Sequence, residues 1–472
     1  MLPMLRTRVV WAILLCAAAG VVTSAVPQVA APDFSRLDGI VRKELAATQA
    51  PGAAVAVVAD GRMVYARGFG VANVETGEPM RPEMLFRLGS TTKMITAATV
   101  LLLAEQGKLS LTEPISRYIP NLHPSIGRLT ADQLLSHQSG ILDEAPMFGS
   151  HDDGAMQMEI ESWTEAKFFA EPGEIYSYSN PGYWLAGRLA EAVGGRPFAD
   201  QVADTIFTPL GMTRSTFRPT LAMTYPLAQG HEIADGKPRI IRPAADNSAS
   251  WPAGSIYSNV MDLSRWMMAL MESGQIGGEQ ALPSGLFSSL TTPRALIPGG
   301  AIRYGYGVQV GESGGARVVQ HNGSRSGYGS VMRMFPDQKV GVIVLANRTG
   351  ASLTQTADAA LATALGPRPA QLGEPVNASP LSAAEILDLA GTYSQGGSRQ
   401  LVVAGSPEGL VLRQGGRDTA LQVIGTGMSK MEGTVRRELA VNAGTARYVF
   451  VLDESGKVQF LHSGGRSWRK VQ

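Results

Sequence analysis

Strand-like runs lie at both ends of residues 33–365, whereas the sequence between them is rich in helical patterns. The first end holds two such runs, GAAVAVVAD and RMVYARGFG, joined by Asp60-Gly61, a pair that favours a tight turn because glycine accepts a positive φ. The other end holds RVVQHNG, YGSVMRMF and VGVIVLAN, and residues 336–339 (PDQK) form a turn between the last two. This order predicts one antiparallel sheet built from both ends of the region, with a helical insertion packed against it.

The region that follows has a different pattern. Residues 366–380 (GPRPAQLGEPVNASP) contain four prolines and little periodicity, which indicates a linker. Residues 381–472 hold six short strand-like runs separated by turn signals: RQLVVAG, GLVLRQG, TALQVIG, VRRELAVNAG, ARYVFVLDE and KVQFLHS. The predicted fold class is therefore α+β, an antiparallel sheet flanked by helices with a helical insertion, followed by a small all-β, barrel-like C-terminal domain.

Residues 1–25 have the pattern of a secretory signal peptide. Arg6 and Arg8 precede an uncharged run over residues 9–22, and small residues follow it. Because this run is shorter than the roughly 20 residues of a spanning helix, we favour cleavage over a retained membrane anchor. The sequence thus predicts an exported protein, periplasmic or extracellular, with no membrane span after cleavage. Cys16 is the only cysteine, which excludes disulfides and cysteine-based zinc sites within the chain.

Composition excludes several classes of protein. Apolar residues make up 44% of the chain and charged residues 17%, so a sizeable core is possible and wholesale disorder is excluded. A net charge of +1 gives no reason to expect nucleic acid or an anionic membrane as a partner. The sequence contains no HExxH, no clustered histidines and no phosphate-binding loop that ends in Gly-Lys-Ser/Thr, so we expect no metal and no cofactor.

A serine and a lysine open the apolar segment FRLGSTTKMITAATVLLLAEQG. The segment is apolar on all sides until Gly107, which predicts a buried helix with Ser90 as its N-cap. Lys93 lies one turn further on, where burial and the helix N-terminus both lower the pKa of an ammonium group. A neutral amine there can accept the proton of the neighbouring hydroxyl and make it a nucleophile. The alternative is that Ser90 only caps the helix and Lys93 extends to solvent; a second Ser-x-x-Lys copy occurs at Ser467 and Lys470.

The segment PGEIYSYSNPGY holds the next candidates. Asn180-Pro181 is typical of a helix start, with Asn180 as the N-cap. The phenol of Tyr178 can carry a proton if nearby cations lower its pKa; otherwise Tyr178 is an ordinary core residue. Residues 257–259 repeat the Tyr-x-Asn spacing.

The third candidate is His321-Asn322-Gly323-Ser324, at the end of a strand. Gly323 allows another backbone to approach closely, and the amide that follows it can then point at a bound substrate. The alternative is a simple turn at the strand end, and residues 462–464 (HSG) have a similar pattern.

Taken together, five segments resemble the serine β-lactamase and penicillin-binding-protein superfamily. They are, in order, FRLGSTTKMITA, LTADQLLSHQSGI, PGEIYSYSNPGY, WPAGSIYSNVMDLSRW and VVQHNGSRSGYGS, and the resemblance extends over roughly residues 35–365. The likeness is greatest to the class C-like branch, which includes D-alanyl-D-alanine carboxypeptidases, D-aminopeptidases and family VIII esterases. The tail resembles the β-barrel domain appended to some of these peptidases.

This resemblance implies acyl transfer on a small-molecule or short-peptide substrate. Ser90 would attack a carbonyl, and Lys93 and Tyr178 would share the proton, either of them serving as general base. Asn180 would bind the substrate amide and hold Lys93. The backbone N–H groups of Ser90 and Ser324 would form an oxyanion hole, and His321 and Gly323 would belong to the substrate-binding strand.

One motif departs from the family pattern. Class C β-lactamases carry Lys-Thr-Gly where this chain has His321-Asn322-Gly323. Lysine is a permanent cation suited to the β-lactam carboxylate, whereas histidine is mostly neutral at pH 7 unless it is protonated on binding. We therefore expect a D-amino-acid peptidase, a carboxypeptidase or an esterase, with a class C-type β-lactamase as the alternative. A catalytically silent envelope binding protein, whose tail binds a partner or covers the cleft, is an alternative of another class.

Overall fold

A computed structural model describes residues 32–144, 146–164, 167–366, 380–396, 399–406, 409–431 and 434–471. The predicted signal peptide over residues 1–25 lies outside the described residues, as do residues 367–379 of the predicted linker. The predicted domain limits, 33–365 and 381–472, stay predictions.

The strands of the described residues fall into two large assemblies and several short pairs. Before residue 366 the strands are β1 (Gly52–Ala59), β2 (Arg62–Gly70), β3 (Phe86–Arg87), β4 (His231–Ala234), β5 (Lys237–Ile240), β6 (Tyr257–Ser258), β7 (Gln275–Ile276), β8 (Glu279–Gln280), β9 (Ala295–Leu296), β10 (Arg303–Tyr304), β11 (Gln309–Ser313), β12 (Ala316–Arg325), β13 (Tyr328–Phe335) and β14 (Val340–Ala346). After residue 380 they are β15 (Gly391–Ser394), β16 (Gln400–Ser406), β17 (Gly409–Gln414), β18 (Arg417–Met431), β19 (Thr434–Ala443), β20 (Ala446–Leu452), β21 (Val458–Ser463) and β22 (Arg466–Lys470).

Most of the helices lie between β2 and β9. The helices are α1 (Leu37–Thr48), α2 (Thr92–Glu105), α3 (Pro124–Gly127), α4 (Ala131–Leu135), α5 (Ala155–Glu161), α6 (Asn180–Gly194), α7 (Phe198–Val202), α8 (Thr208–Leu210), α9 (Pro219–Ala222), α10 (Trp251–Gly254), α11 (Val260–Met271), α12 (Leu286–Thr291), α13 (Thr354–Leu365) and α14 (Ala383–Leu389). None of the helices in these described ranges has both the length and the apolar character that crossing a membrane requires.

The larger sheet has the strand order β2-β1-β14-β13-β12-β11-β10-β9, and its pairs are antiparallel. The predicted hairpin is present: β1 pairs with β2, and Asp60 and Gly61 between them both have positive φ, 49° and 70°. Ala53 lies opposite Ala346, so the first hairpin pairs with the last strand of the region. The predicted sheet built from both ends of this region is therefore confirmed.

Two apolar layers cover this sheet. Alternate residues of a strand point to opposite faces. Val55 and Val57 of β1 pack with α1 and α13, whereas Ala54 and Ala56 pack with the helical insertion, whose central member is α2. Residues 92–103 of α2 are all buried, and the helix ends just before Gly107, which has a φ of 70°. The predicted buried helix is confirmed.

The start of α2 differs from the prediction. Ser90 does not act as its N-cap, because residues 89–91 form a separate 3₁₀ turn and α2 follows with Thr91 in the N-cap position. The hydroxyl of Ser90 is therefore not used to satisfy the helix N-terminus.

The C-terminal strands form a closed eight-stranded barrel, β15 to β22, in which Tyr393 of β15 lies opposite Lys470 of β22. Leu412, Phe450 and Leu461 belong to its apolar core. The predicted barrel is confirmed, but β15, β22 and α14 were not among the predicted elements. Because β22 reads RSWRK, its three cationic residues conceal the strand pattern.

Candidate active site

The amine of Lys93 has three neighbours at the start of α2. Nζ lies 2.6 Å from the carbonyl oxygen of Ala253, 2.8 Å from Oδ1 of Asn180 and 3.3 Å from Oγ of Ser90. A neutral amine has two N–H donors and one lone pair. The two carbonyl oxygens take the two donors, so the lone pair is left for the hydroxyl of Ser90.

Lys93 is completely buried, and its environment favours the neutral form. Burial holds the pKa of the ammonium group well below its usual range, because desolvation penalises the charged form. The negative charge of Asp143 raises this pKa, and the positive charges of Arg466 and Arg325 lower it further.

Asn180 connects Lys93 to Asp143. It is not the N-cap that the sequence predicted, because the hydroxyl of Ser179 accepts the N–H of Gly182 and caps α6. Asn180 is thus the first residue of the helix and its amide is available: Oδ1 accepts from Lys93, and Nδ2 donates to Oδ1 of Asp143 at 3.0 Å. Its backbone N–H donates to the same carboxylate oxygen at 2.8 Å.

Tyr178 lies beside Lys93, with its ring centre 4.7 Å from Nζ. The hydroxyl is buried and makes no hydrogen bond of ordinary geometry with the described residues. Burial raises the pKa of Tyr178, and this outweighs the lowering by the Ser90 hydroxyl and by Arg466. The condition that nearby cations lower this pKa is not met, so Tyr178 is a neutral phenol.

Strand β12 runs past Ser90 at Gly323. A Cβ added to Gly323 would clash with the carbonyl oxygen of Leu88 and come within 3.0 Å of the backbone nitrogen of Ser90. A Cβ added to Gly89 would lie 2.6 Å from the backbone nitrogen of Ser324. Glycine is therefore required at both positions for the two segments to approach.

The register of β12 sets the direction of the Ser324 amide. A two-residue turn joins β12 to β13, and Arg325 and Tyr328 form the pair that closes it. In an antiparallel ladder, pairs that exchange hydrogen bonds alternate with pairs that do not. Because the closing pair exchanges hydrogen bonds, Ser324 directs its N–H away from β13 and towards the segment around Ser90.

His321 is held as a neutral ring. Nδ1 donates to the carbonyl oxygen of Asn322 at 2.6 Å, so Nε2 accepts from the hydroxyl of Tyr304 at 2.9 Å. Burial lowers the pKa of His321 to about 3. His321 therefore does not supply the cation that lysine supplies in the Lys-Thr-Gly motif.

The seven predicted site residues come together around one cavity of about 790 Å³. Six of them line it, namely Ser90, Tyr178, Asn180, His321, Gly323 and Ser324, and Lys93 lies directly behind Ser90. The similar residues at 257–259 serve elsewhere: Tyr257 is buried in β6 and Asn259 caps α11.

The sequence analysis considered a tail that covers the cleft only within one alternative, and it named no barrel residue in the site. Gly464, Gly465 and Arg466, at the turn between β21 and β22, line the same cavity. The carbonyl oxygen of Gly465 accepts the N–H of Tyr178 at 2.9 Å, and the guanidinium of Arg466 pairs with Asp143, with Nε 2.7 Å from Oδ2. The signal was the HSG pattern at 462–464, which resembles the pattern of β12 but lies far from it in the chain.

Comparisons with known proteins find relatives of this chain. The family described as Beta-lactamase matches residues 37–365. A D-aminopeptidase of Gluconobacter oxydans (strain 621H) is 30% identical over 342 residues, which cover 70% of this chain and 62% of that protein. This chain thus spans less than two thirds of the length of that curated relative.

Two solved structures extend the comparison. The crystal structure of SurE matches with a TM-score of 0.72 and 24% identity, over 92% of this chain and 98% of SurE, which shows a shared fold. The D-amino acid amidase from Ochrobactrum anthropi SV3 matches with a TM-score of 0.56 and 26% identity, over 69% of this chain and 97% of the amidase.

Proposed function

Because this chain belongs to the Beta-lactamase family of serine hydrolases, we propose that it hydrolyses small amides or esters through an acyl-enzyme formed on Ser90. The observation that carries this proposal is the amine of Lys93, which is buried, has both N–H groups bonded to carbonyl oxygens and lies 3.3 Å from the hydroxyl of Ser90. An amine in this state is a general base at neutral pH.

The steps follow from this arrangement. The hydroxyl of Ser90 gives its proton to the lone pair of Lys93 and attacks the substrate carbonyl. The N–H groups of Ser90 and Ser324 stabilise the resulting oxyanion, a contribution of about 10²–10³ in rate for each donor. The hydroxyl of Tyr178, next to Lys93, passes the proton on to the leaving group. Water then releases the acyl group by the reverse proton transfers.

The raised pKa of Tyr178 supports one division of roles between the two proton carriers. A phenolate at position 178 would have to form in a buried site, whereas the neutral amine of Lys93 is already favoured there. We therefore assign the general base to Lys93 and the relay to Tyr178, and Asn180 keeps Lys93 in place.

A D-amino-acid peptidase, a carboxypeptidase or an esterase fits the substrate-binding strand better than a β-lactamase. The neutral ring of His321 takes the place of a lysine, and the Gluconobacter relative is named a D-aminopeptidase. The alternatives are a class C-type β-lactamase and a penicillin-binding-like protein that is acylated but does not turn over.

We further propose export directed by residues 1–25. Edman sequencing of protein secreted by the native host should begin near residue 26. An intact N-terminus would contradict export with cleavage.

The nucleophile is tested by labelling with a fluorescent fluorophosphonate. Wild type and the surface control Ser125→Ala should label at equal rates, and Ser90→Ala should lose at least 99% of the label. Equal labelling of wild type and Ser90→Ala would show that Ser90 is not the nucleophile.

The substrate class is tested with a panel of nitrocefin, p-nitrophenyl esters and D-alanyl-D-alanine peptides. Turnover of the peptides or esters in preference to nitrocefin is expected. A preference for nitrocefin would favour the β-lactamase, and stoichiometric acylation without turnover would favour the binding protein.

A further inference from the structure

Arg325 lies on the same face of β12 as the glycine that touches the nucleophile. Residues two apart in a strand share a face, so His321, Gly323 and Arg325 point to the same side. Gly323 is the position at which a Cβ would come within 3.0 Å of the amide of Ser90. His321 therefore lies about 7 Å along the strand in one direction from this contact, and Arg325 about 7 Å in the other.

Both ends of this strand segment line the cavity, but they differ in charge. The end at His321 is neutral, since that ring is bonded to the hydroxyl of Tyr304 and stays unprotonated at ordinary pH. The end at Arg325 carries a guanidinium, which stays protonated at neutral pH. The cavity thus has a cationic side and an uncharged side with the nucleophile between them.

Within the described residues, Arg325 has no carboxylate partner. Its Nη2 donates to the hydroxyl oxygen of Ser250 at 3.2 Å, which accounts for one of the five donors of a guanidinium. The nearest acidic influence comes from Asp246, but the carboxylate oxygens of Asp246 are bonded to Arg87 and His151.

The other arginines near the cavity are paired. Arg87 forms an ion pair with Asp246 at 2.8 Å, and Arg466 is paired with Asp143. Burial lowers the pKa of Arg325 to about 10, and the positive charge of Arg87 adds to this, so the charge at position 325 is poorly compensated in the free protein. A partly buried cation without a counter-ion gains strongly from an anionic ligand.

We propose that Arg325 binds a carboxylate of the substrate while the reacting carbonyl of that substrate lies at Ser90. The planar fork of a guanidinium matches a carboxylate through two parallel hydrogen bonds. The inference rests on the proposed function and specifies its substrate class: short peptides or amino-acid derivatives that carry a free carboxylate within reach of Arg325, with an uncharged group towards His321.

Two substrates that differ at one group test this assignment. N-acetyl-D-alanyl-D-alanine carries a terminal carboxylate, and its C-terminal amide does not. We expect wild type to prefer the acid over the amide by at least tenfold in kcat/KM, and Arg325→Gln to reduce this ratio to about one, mainly through KM. Arg325→Lys, which keeps the charge without the fork, should give an intermediate ratio. The control Arg117→Gln replaces an exposed arginine paired with Glu113 and should keep the wild-type ratio.

The outcomes separate this inference from the proposed function. If wild type hydrolyses p-nitrophenyl acetate in a Ser90-dependent manner but shows no preference for the acid, or if Arg325→Gln retains the preference, the role of Arg325 is wrong and the serine hydrolase stands. If p-nitrophenyl acetate hydrolysis does not depend on Ser90, the proposed function itself is wrong. Thermal melting followed by circular dichroism checks that Arg325→Gln is folded. Inhibition of wild type by N-acetyl-D-alanine and by its amide gives a second measure that needs no variant. We expect the acid to inhibit at least tenfold more strongly than the amide, and equal inhibition overturns the inference.

Discussion

Two hairpins reach the same cavity from different parts of the chain, and they are built alike. The β12–β13 hairpin and the β21–β22 hairpin each have a buried histidine, a two-residue turn and an arginine next to the turn. His321 and Arg325 belong to the first, and His462 and Arg466 to the second. In both hairpins, burial lowers the pKa of the histidine to about 3.

What holds each hairpin in place is different. The first is fixed by steric fit, because Gly323 packs against the backbone around Ser90 with no space for a Cβ. The second is held by polar contacts and by apolar packing: Ser467 bonds to the segment before Tyr178, Arg466 pairs with Asp143, and Phe460 packs with Ala170 and Ile175. Backbone fit around Ser90 leaves a recognisable glycine motif in the sequence, whereas docking by side chains does not.

The largest expected effect comes from removing the steric fit. Gly323→Ala should slow labelling of Ser90 by about 100-fold, because displacing β12 removes one oxyanion donor. The matched change Gly464→Ala meets no atom within 4 Å and should slow labelling by less than about threefold, although its φ of 56° costs about 1 kcal/mol of stability. Rates of fluorophosphonate labelling and thermal melts measure both. Equal losses in rate would show that the two hairpins are held in the same way.

The next effect concerns the polar contact. In Arg466→Gln, the charge that lowers the pKa of Lys93 is lost while Asp143, which raises it, remains. The pKa of Lys93 therefore rises. Because the proposed general base is the neutral amine, labelling should be lost at a higher pH than in wild type as the solution is acidified. We expect the acid limb of the pH profile to shift to more alkaline pH, so that labelling on the acid side is slower than in wild type.

Arg469→Gln is the control for that experiment. Arg469 lies on the same strand as Arg466 and pairs with Glu174 instead of Asp143. Its pH profile should match that of wild type. An unshifted profile in Arg466→Gln, or an equal shift in both variants, would contradict the coupling of Arg466 to Lys93.

The smallest effect tests what the hairpins share. The folded chain keeps His321 and His462 neutral down to about pH 3, whereas unfolded histidine takes up a proton near 6.5. Their contribution to stability is therefore complete above pH 6.5 and is lost as the pH falls from 6.5 towards 3, by up to about 1.4 kcal/mol per unit for each histidine.

Melting curves at pH 7.5 and pH 5 measure this contribution. The fall in Tm between the two should be about 2 °C smaller in His321→Gln and in His462→Gln than in wild type. His123→Gln, at an exposed position, is the control and should fall as wild type does. If the Tm of either hairpin variant fell between pH 7.5 and pH 5 by as much as the Tm of wild type, this would contradict a neutral buried ring at that position.

Much of the fold could be predicted because its signals are local. Asp60-Gly61 is sufficient to indicate the first hairpin, and the apolar sequence after Ser90 is sufficient to indicate a buried helix. The ends of the helices were less predictable: Ser90 and Asn180 are both residue types that favour caps, yet a 3₁₀ turn and Ser179 satisfy those helix starts instead. Their side chains are thereby left to contact Lys93.

The part of the site that the sequence did not predict depends on contacts between distant segments. Asp143 and Arg466 are ordinary charged residues in their local sequence, and only folding brings them within 2.7 Å. Arg325 is likewise unremarkable in sequence, and its lack of a carboxylate partner among the described residues is visible only once the partners of Arg87 and Asp246 are known. A pattern in one segment cannot reveal which charge in another segment is already neutralised.

The pairing of Arg466 with Asp143 also has a kinetic consequence. These residues are 323 positions apart in the chain, so their contact closes a very long loop. Contacts of such separation form late, after the local hairpins and helices have been established. During refolding from denaturant, tryptophan fluorescence of the helical core should therefore recover before enzymatic competence does, and the lag between them would report the time that the barrel takes to dock.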